Sequence, residues 1–184
     1  MGKIIQTYSA YEISASVPAA LAGGFLLQIT PPDSPAPSPE RNRIVGLTRL
    51  RVILSSAVTS HFGLVKTAAR GTAIPADVKS GKLVSTGNGG YSGGTGTVGQ
   101  IVTGWTVAPT SVGDYYRREI LAGAVGDAFE WNWPEDDPFG GEILSIPSPM
   151  SFNFNGILLQ NIGAGASASL EVSARWIEFS SRQL

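Results

Sequence analysis

Glycine and proline fall between short apolar stretches along this whole chain, and that punctuation leaves little room for anything but β-structure. There are 23 glycines and 12 prolines in 184 residues, together about 19% against a usual ~12%. Apolar stripes with a helical period and a helical length are hard to find. Residues 111–122, with Tyr115, Tyr116, Ile120 and Leu121, are the best helical candidate and read equally well as a strand.

Period-two alternation and β-branched content predict strands over residues 4–17, 24–30, 43–55, 61–69, 74–78, 100–107, 129–133, 142–146, 151–159 and 167–179. In the first, Ile5, Thr7, Ser9, Tyr11, Ile13 and Ala15 share one face. In the third, Leu47, Arg49, Arg51 and Ile53 oppose Leu50, Val52 and Leu54. The last carries Ala168, Leu170, Val172, Ala174 and Trp176 in alternation. Two segments break the pattern. Residues 31–42 open with Pro31-Pro32-Asp33-Ser34-Pro35-Ala36-Pro37-Ser38-Pro39, which cannot join a ladder because proline lacks the N–H donor. They read as a stiff polyproline-like surface loop. Residues 81–99 read as a glycine-rich loop with turn chemistry at Asn88-Gly89-Gly90.

Short strands at this spacing suit an all-β, jelly-roll-like antiparallel β-sandwich with long Pro-rich and Gly-rich loops. The length fits one domain over residues 1–184, and neither a repeat nor a linker divides it. Residues 1–17 read as a first strand or an extended N-terminal arm.

Charge and cysteine narrow the partners. The chain carries 13 basic and 14 acidic residues and no cysteine, so thiolate metal sites and disulfides are excluded. No basic run is longer than Arg117-Arg118, which leaves no nucleic-acid footprint. Charged residues make up 15%, against about 25% in an average soluble domain. That deficit fits a subunit that hides part of its surface in an assembly. The apolar run 17–29 is too short to span a bilayer and holds Pro18, Gly23, Gly24 and Gln28. No membrane contact and no targeting segment are expected.

Catalytic readings fail for want of parts. His61 is the single histidine, too few for the two or three that a cupin-type metal site uses. Gly94-Thr95-Gly96-Thr97-Val98-Gly99 matches G-x-G-x-x-G, but a loop precedes it and a strand follows, so the helix N-terminus that holds a pyrophosphate is missing. Glu135-Asp136-Asp137 forms an acidic turn between Pro134 and Pro138, and it lacks the glycine-hinged pattern of an EF-hand calcium loop. No enzyme activity and no cofactor are expected. Trp131, Trp133, Phe139, Phe152, Phe154, Trp176 and Phe179 gather after residue 128, where alternation assigns them to a core or a subunit contact. A sugar- or receptor-binding module using Trp131 and Trp133 or the Tyr91 loop is the alternative.

The strands around Phe129-Glu130-Trp131-Asn132-Trp133, Gly141-Glu142-Ile143-Leu144-Ser145-Ile146 and Phe152-Asn153-Phe154-Asn155, and the closing Trp176-Ile177-Glu178, resemble the C-terminal half of jelly-roll proteins on tailed-phage virions. Those are minor capsid, decoration or head-fibre proteins. The basic alternating run Leu47-Thr48-Arg49-Leu50-Arg51-Val52-Ile53 is similar to an earlier strand of the same family. The resemblance implies a virion structural protein on the capsid surface, made in the host cytoplasm. Its implied partners are the major capsid protein or other virion proteins and further copies of itself, a trimer being favoured. It carries no catalytic or metal residue. For the assembly interface the reading selects Ile4, Ile5 and Tyr8 on the N-terminal arm, able to add to a neighbour's sheet edge, with Pro35 and Pro37 of the proline-rich loop.

Overall fold

Antiparallel strands organise the computed structural model, which describes residues 8–30, 43–86, 99–133, 142–145 and 156–180; buried and exposed side chains alternate in β1 and β14, whereas β2 and β13 of the second sheet are buried on both faces. The described residues form fourteen strands, numbered in chain order, and every strand pair is antiparallel. The first sheet runs β11 (Ala128–Asn132), β3 (Arg43–Leu54), β14 (Leu170–Ser180), β1 (Tyr8–Val17), β7 (Lys82–Thr86), and β12 (Glu142–Ser145) also pairs with β3. The second runs β10 (Thr110–Leu121), β4 (Ser60–Ala69), β13 (Ile157–Asn161), β2 (Phe25–Thr30), β8 (Gln100–Val102), β6 (Val78–Ser80). β5 (Thr72–Ala73) and β9 (Trp105–Val107) make a separate two-stranded pair.

The two large sheets form an all-β sandwich. Tyr11, Ile13, Ala15 and Val17 of β1, Leu50, Val52 and Leu54 of β3, and Leu170, Val172, Ala174 and Trp176 of β14 share one core cluster with Leu27, Ile29, Phe62, Leu64, Ile157 and Leu159 of the other sheet. The period-two pattern of the sequence is the cause, since every second side chain of a strand points to the same face. Phe129 lies between Phe62 and Trp131, with ring centroids 5.5 Å and 4.6 Å away. Burying large aromatics is the strongest single contribution such a core makes.

Four local expectations are corrected. Residues 81–99 are not loop throughout: β7 pairs with β1 from Ser9 opposite Thr86 to Glu12 opposite Lys82. Residues 74–78 are not one strand. A 3-10 turn, Pro75–Asp77, leads into β6, and Pro75 has no donor to give a ladder. The strand expected over 100–107 breaks at Thr103 and Gly104 into β8 and β9. Gly104 lies against the Asp77 side chain, whose carboxylate a Cβ there would have to displace. On β3, Leu47 is buried rather than sharing the outward face of Arg49, because Thr48 is an extra residue in the register. Arg175 pairs with Arg49, and Trp176 with Leu47. Such a bulge flips the faces on either side of it. Residues 111–121 of the ambiguous segment belong to the strand β10, Thr110–Leu121.

Gly156 precedes β13 at φ 99°, and a Cβ there would overlap the Ile29 carbonyl. Its own carbonyl accepts from Thr67 N–H at 3.0 Å. Gly156→Ala therefore meets both an unfavourable backbone and a backbone clash. It is expected to cost at least ~2 kcal/mol, read as a lowered urea midpoint with an unchanged slope.

Candidate interaction surface

Four loops connect the two sheets at one end of the sandwich: residues 18–24, 55–59, 122–127 and 162–169. Ladder ends bring them together, with Val17 opposite Leu170 and Leu170 opposite Leu54. Hydrogen bonds then tie each loop to its neighbour. Ser167 N–H donates to Ala20 O at 2.8 Å, and Ala20 N–H donates back to Ser167 Oγ at 3.0 Å. Ser169 N–H donates to Ser56 Oγ at 2.9 Å, and Ala168 N–H to Ser60 Oγ at 2.8 Å. Thr59 Oγ1 donates to Ala122 O at 2.8 Å. Gly123, at φ 106°, lies so close to the Val58–Thr59 backbone that a Cβ would overlap it.

The composition of this end is one-sided. Asp127 is the only charged residue in the four loops, and its Oδ2 is occupied by the N–H groups of Gly123 and Ala124 at 3.1 and 2.9 Å. Alanine and glycine make up most of the rest. Among them stand Leu21, Val125 and Val58, with relative exposures of 78%, 67% and 40%. Tight turns explain the glycines. They do not explain large apolar side chains held out into water on a rigid platform.

Two other described faces carry charge. Across the outer face of the first sheet, the pairing places Lys82, Glu12, Arg175, Arg49 and Asn132 in one row, and Ser14, Ser173, Arg51 and Glu130 in the next. Arg49 Nη2 reaches Glu12 Oε1 at 2.5 Å, and Ser173 Oγ donates to the same oxygen at 3.2 Å. Both partners are about a third exposed, so the pair contributes at most ~1 kcal/mol. On the second sheet, β10 pairs only with β4 among the described residues. It carries Asp114, Arg117, Arg118 and Glu119 beside exposed Val112, Tyr116 and Ile120. Its register slips between Val112 and Arg117. In that slip Tyr115 folds over Gly63, where a Cβ would meet its ring, and Tyr115 Oη donates to Gln160 Oε1 at 2.8 Å. Arg118 lies over the Tyr115 ring at 5.0 Å and Lys66 over Tyr116 at 5.4 Å.

Of the residues selected from sequence, Ile4, Ile5, Pro35 and Pro37 lie outside the described residues, as do the acidic turn 135–137, Phe139, Phe152, Phe154 and Tyr91. Tyr8 opens β1, opposite Phe179 of β14. Gly99 is buried against the Trp176 indole. Trp131 and Trp133 are buried, and Arg117 covers the Trp133 ring at 5.8 Å, so neither presents a free stacking face. Leu21, Val58 and Val125 were not selected from sequence. The one available signal was the lack of charge in four separate segments, and only the fold joins them. No protein-family model matches the chain, and no curated protein matches it.

Proposed function

We propose that this chain is a non-catalytic structural subunit of a phage virion, acting through protein–protein contacts. The observation that carries the reading is the uncharged loop end with its exposed Leu21, Val58 and Val125. Covering three such side chains, none of them fully exposed, stabilises a contact by less than the roughly 1.5–3 kcal/mol each of full burial, before association costs. The strand order supports a jelly-roll scaffold. Its eight main strands divide as β11-β3-β14-β1 and β10-β4-β13-β2, the arrangement expected of two Greek keys folded into a double sheet. On that reading, residues 70–109 are an insertion between β4 and β10. The partners are the major capsid protein or another virion protein, together with further copies of the chain.

Mass spectrometry of gradient-purified particles from the source that encodes the chain tests this. The protein is expected in a fixed stoichiometric ratio to the major capsid protein. Particles of full density that lack it overturn the proposal. The sugar-binding alternative loses support from the burial of Trp131 and Trp133.

A further inference from the structure

We infer that residues 70–81 and 99–109 form a flap that opens as one unit while the sandwich stays folded, uncovering the edge of β2 and the Trp176 ring. This opening is a property of the fold and does not depend on the virion reading. Topology sets the flap apart. β6 pairs with β8 and β8 with β2, while β5 and β9 pair with each other. The ladder that joins the flap to the sandwich is three residue pairs long: Gln28 with Val102, Ile29 with Ile101 and Thr30 with Gln100. The central ladders of the sandwich run to ten pairs between β1 and β14 and eleven between β3 and β14. Within the flap, hydrogen bonds tie one chain segment to the other. Ile74 N–H donates to Gly104 O at 3.0 Å, Thr103 N–H to Asp77 O at 3.1 Å, and Thr106 Oγ1 to Thr72 O at 3.2 Å. Neither segment leaves without the other.

Burial draws the same boundary. None of residues 70–80 is buried, and between 99 and 109 the buried ones are Gly99, Ile101, Val102 and Pro109. Of these four, Ile101 alone belongs to the shared core cluster. Local stability is low where few apolar contacts are buried, and strands of two or three residues do not persist apart from the sheet that they extend. Glycines mark the seam. Gly81 and Gly99 lie at the base of the flap, each so close to the Trp176 indole that a Cβ would overlap it. Parting them uncovers a ring that is otherwise fully buried. It also leaves the main chain of Gln28, Ile29 and Thr30 without its β8 ladder, on a strand buried on both faces. An apolar edge of that kind is a template for strand addition, and the closed flap conceals it.

Native-state hydrogen exchange of the full chain, followed by NMR in rising urea, tests this. The N–H groups of Ile74, Asp77 and Thr103, all bonded within the flap, are expected to share one protection factor. It lies at least ~100-fold below that of Val172 and Ala174 on β14, with a urea slope well under that of global unfolding. Leu54→Val thins the core at the far end of the sandwich, where Leu54 is buried opposite Leu170. It weakens the open and closed forms alike, so protection on β14 is expected to fall about tenfold while that of the flap stays the same. Gly99→Ala does the reverse. Its Cβ meets the indole only when the flap is closed, so protection in the flap is expected to fall at least ~10-fold, and Trp176 becomes open to acrylamide quenching.

Flap N–H groups as protected as those of β14, or exchanging with the slope of global unfolding, overturn the inference on the wild type alone. So do three flap groups that open independently of one another, a Leu54→Val variant that lowers both regions equally, or a Gly99→Ala variant that leaves the flap unmoved. None of these results bears on the composition of particles, so this opening and the virion reading stand or fall separately.

Discussion

Replacing Trp176 by alanine is expected to remove ~3–5 kcal/mol of stability, lowering the melting temperature on the order of 10 °C for a chain of this size. Trp176 is fully buried on β14, stacked on Tyr11 of the neighbouring strand at 6.4 Å and 20°. Two glycines complete its enclosure. Gly81 faces the benzenoid edge and Gly99 the pyrrole side, each so close that a Cβ would overlap the ring, and Gly81 N–H donates to Gly99 O at 3.4 Å. The indole thus joins β14 and β1 to the start of β7 and the approach to β8. Removing it opens a cavity across both sheets.

The same geometry makes a sharper expectation. Gly99→Ala clashes with the indole in the wild type but finds room beside the smaller side chain of a Trp176→Leu background. The two changes together are therefore expected to cost less than their sum, the sign of direct coupling in a double-mutant cycle. Strict additivity in urea unfolding removes the claim that these glycines exist to admit the ring.

Those glycines mark where sequence reading stops. The first and last strands of the core were legible because alternation specifies a half-buried strand. The last strand shows this best, with Leu170, Val172, Ala174 and Trp176 all buried. Gly81 and Gly99 look like turn glycines, and that likeness hid β7, although Lys82–Thr86 directly follows Gly81. A glycine required by the close approach of a distant ring has no local signature. Thr48 is a similar case. It becomes a bulge because Trp133 N–H takes its carbonyl at 2.8 Å while its hydroxyl donates to Arg175 O at 3.2 Å, and both partners are remote in sequence. The loop end is the clearest instance. Each of its four segments is an ordinary polar-to-small turn in sequence, and the surface they make exists only after the sheets pair.

Asn161→Leu is expected to cost about 3 kcal/mol, because it strips buried main-chain groups of their partners at ~1–3 kcal/mol for an unsatisfied group. Asn161 ends β13 with its side chain buried under the loop end. Its Nδ2 lies 3.0, 3.1 and 2.8 Å from the carbonyls of Ala20, Leu21 and Gly165, and its Oδ1 accepts from Gly163 N–H at 3.0 Å. Its main chain exchanges two further bonds with the first loop, to Gly24 O and from Gly23 N–H, each 2.9 Å. Leucine matches its volume and none of this pairing. Asn161→Asp separates polarity from shape: it keeps the acceptor for Gly163 but sets a carboxylate against three carbonyl oxygens. That environment disfavours ionisation and raises the folded-state pKa of the new carboxyl. The folded state then holds the proton more tightly than the unfolded chain, so stability is greatest in acid and falls as pH rises through and above ~4. Asn161→Leu has no such dependence. Urea unfolding of both variants at two pH values distinguishes them, and an Asp variant as stable at neutral pH as in acid rejects the assigned hydrogen bonds. Because the Leu21 carbonyl is one of the three, either variant also frees the loop that carries the most exposed apolar side chain of this end.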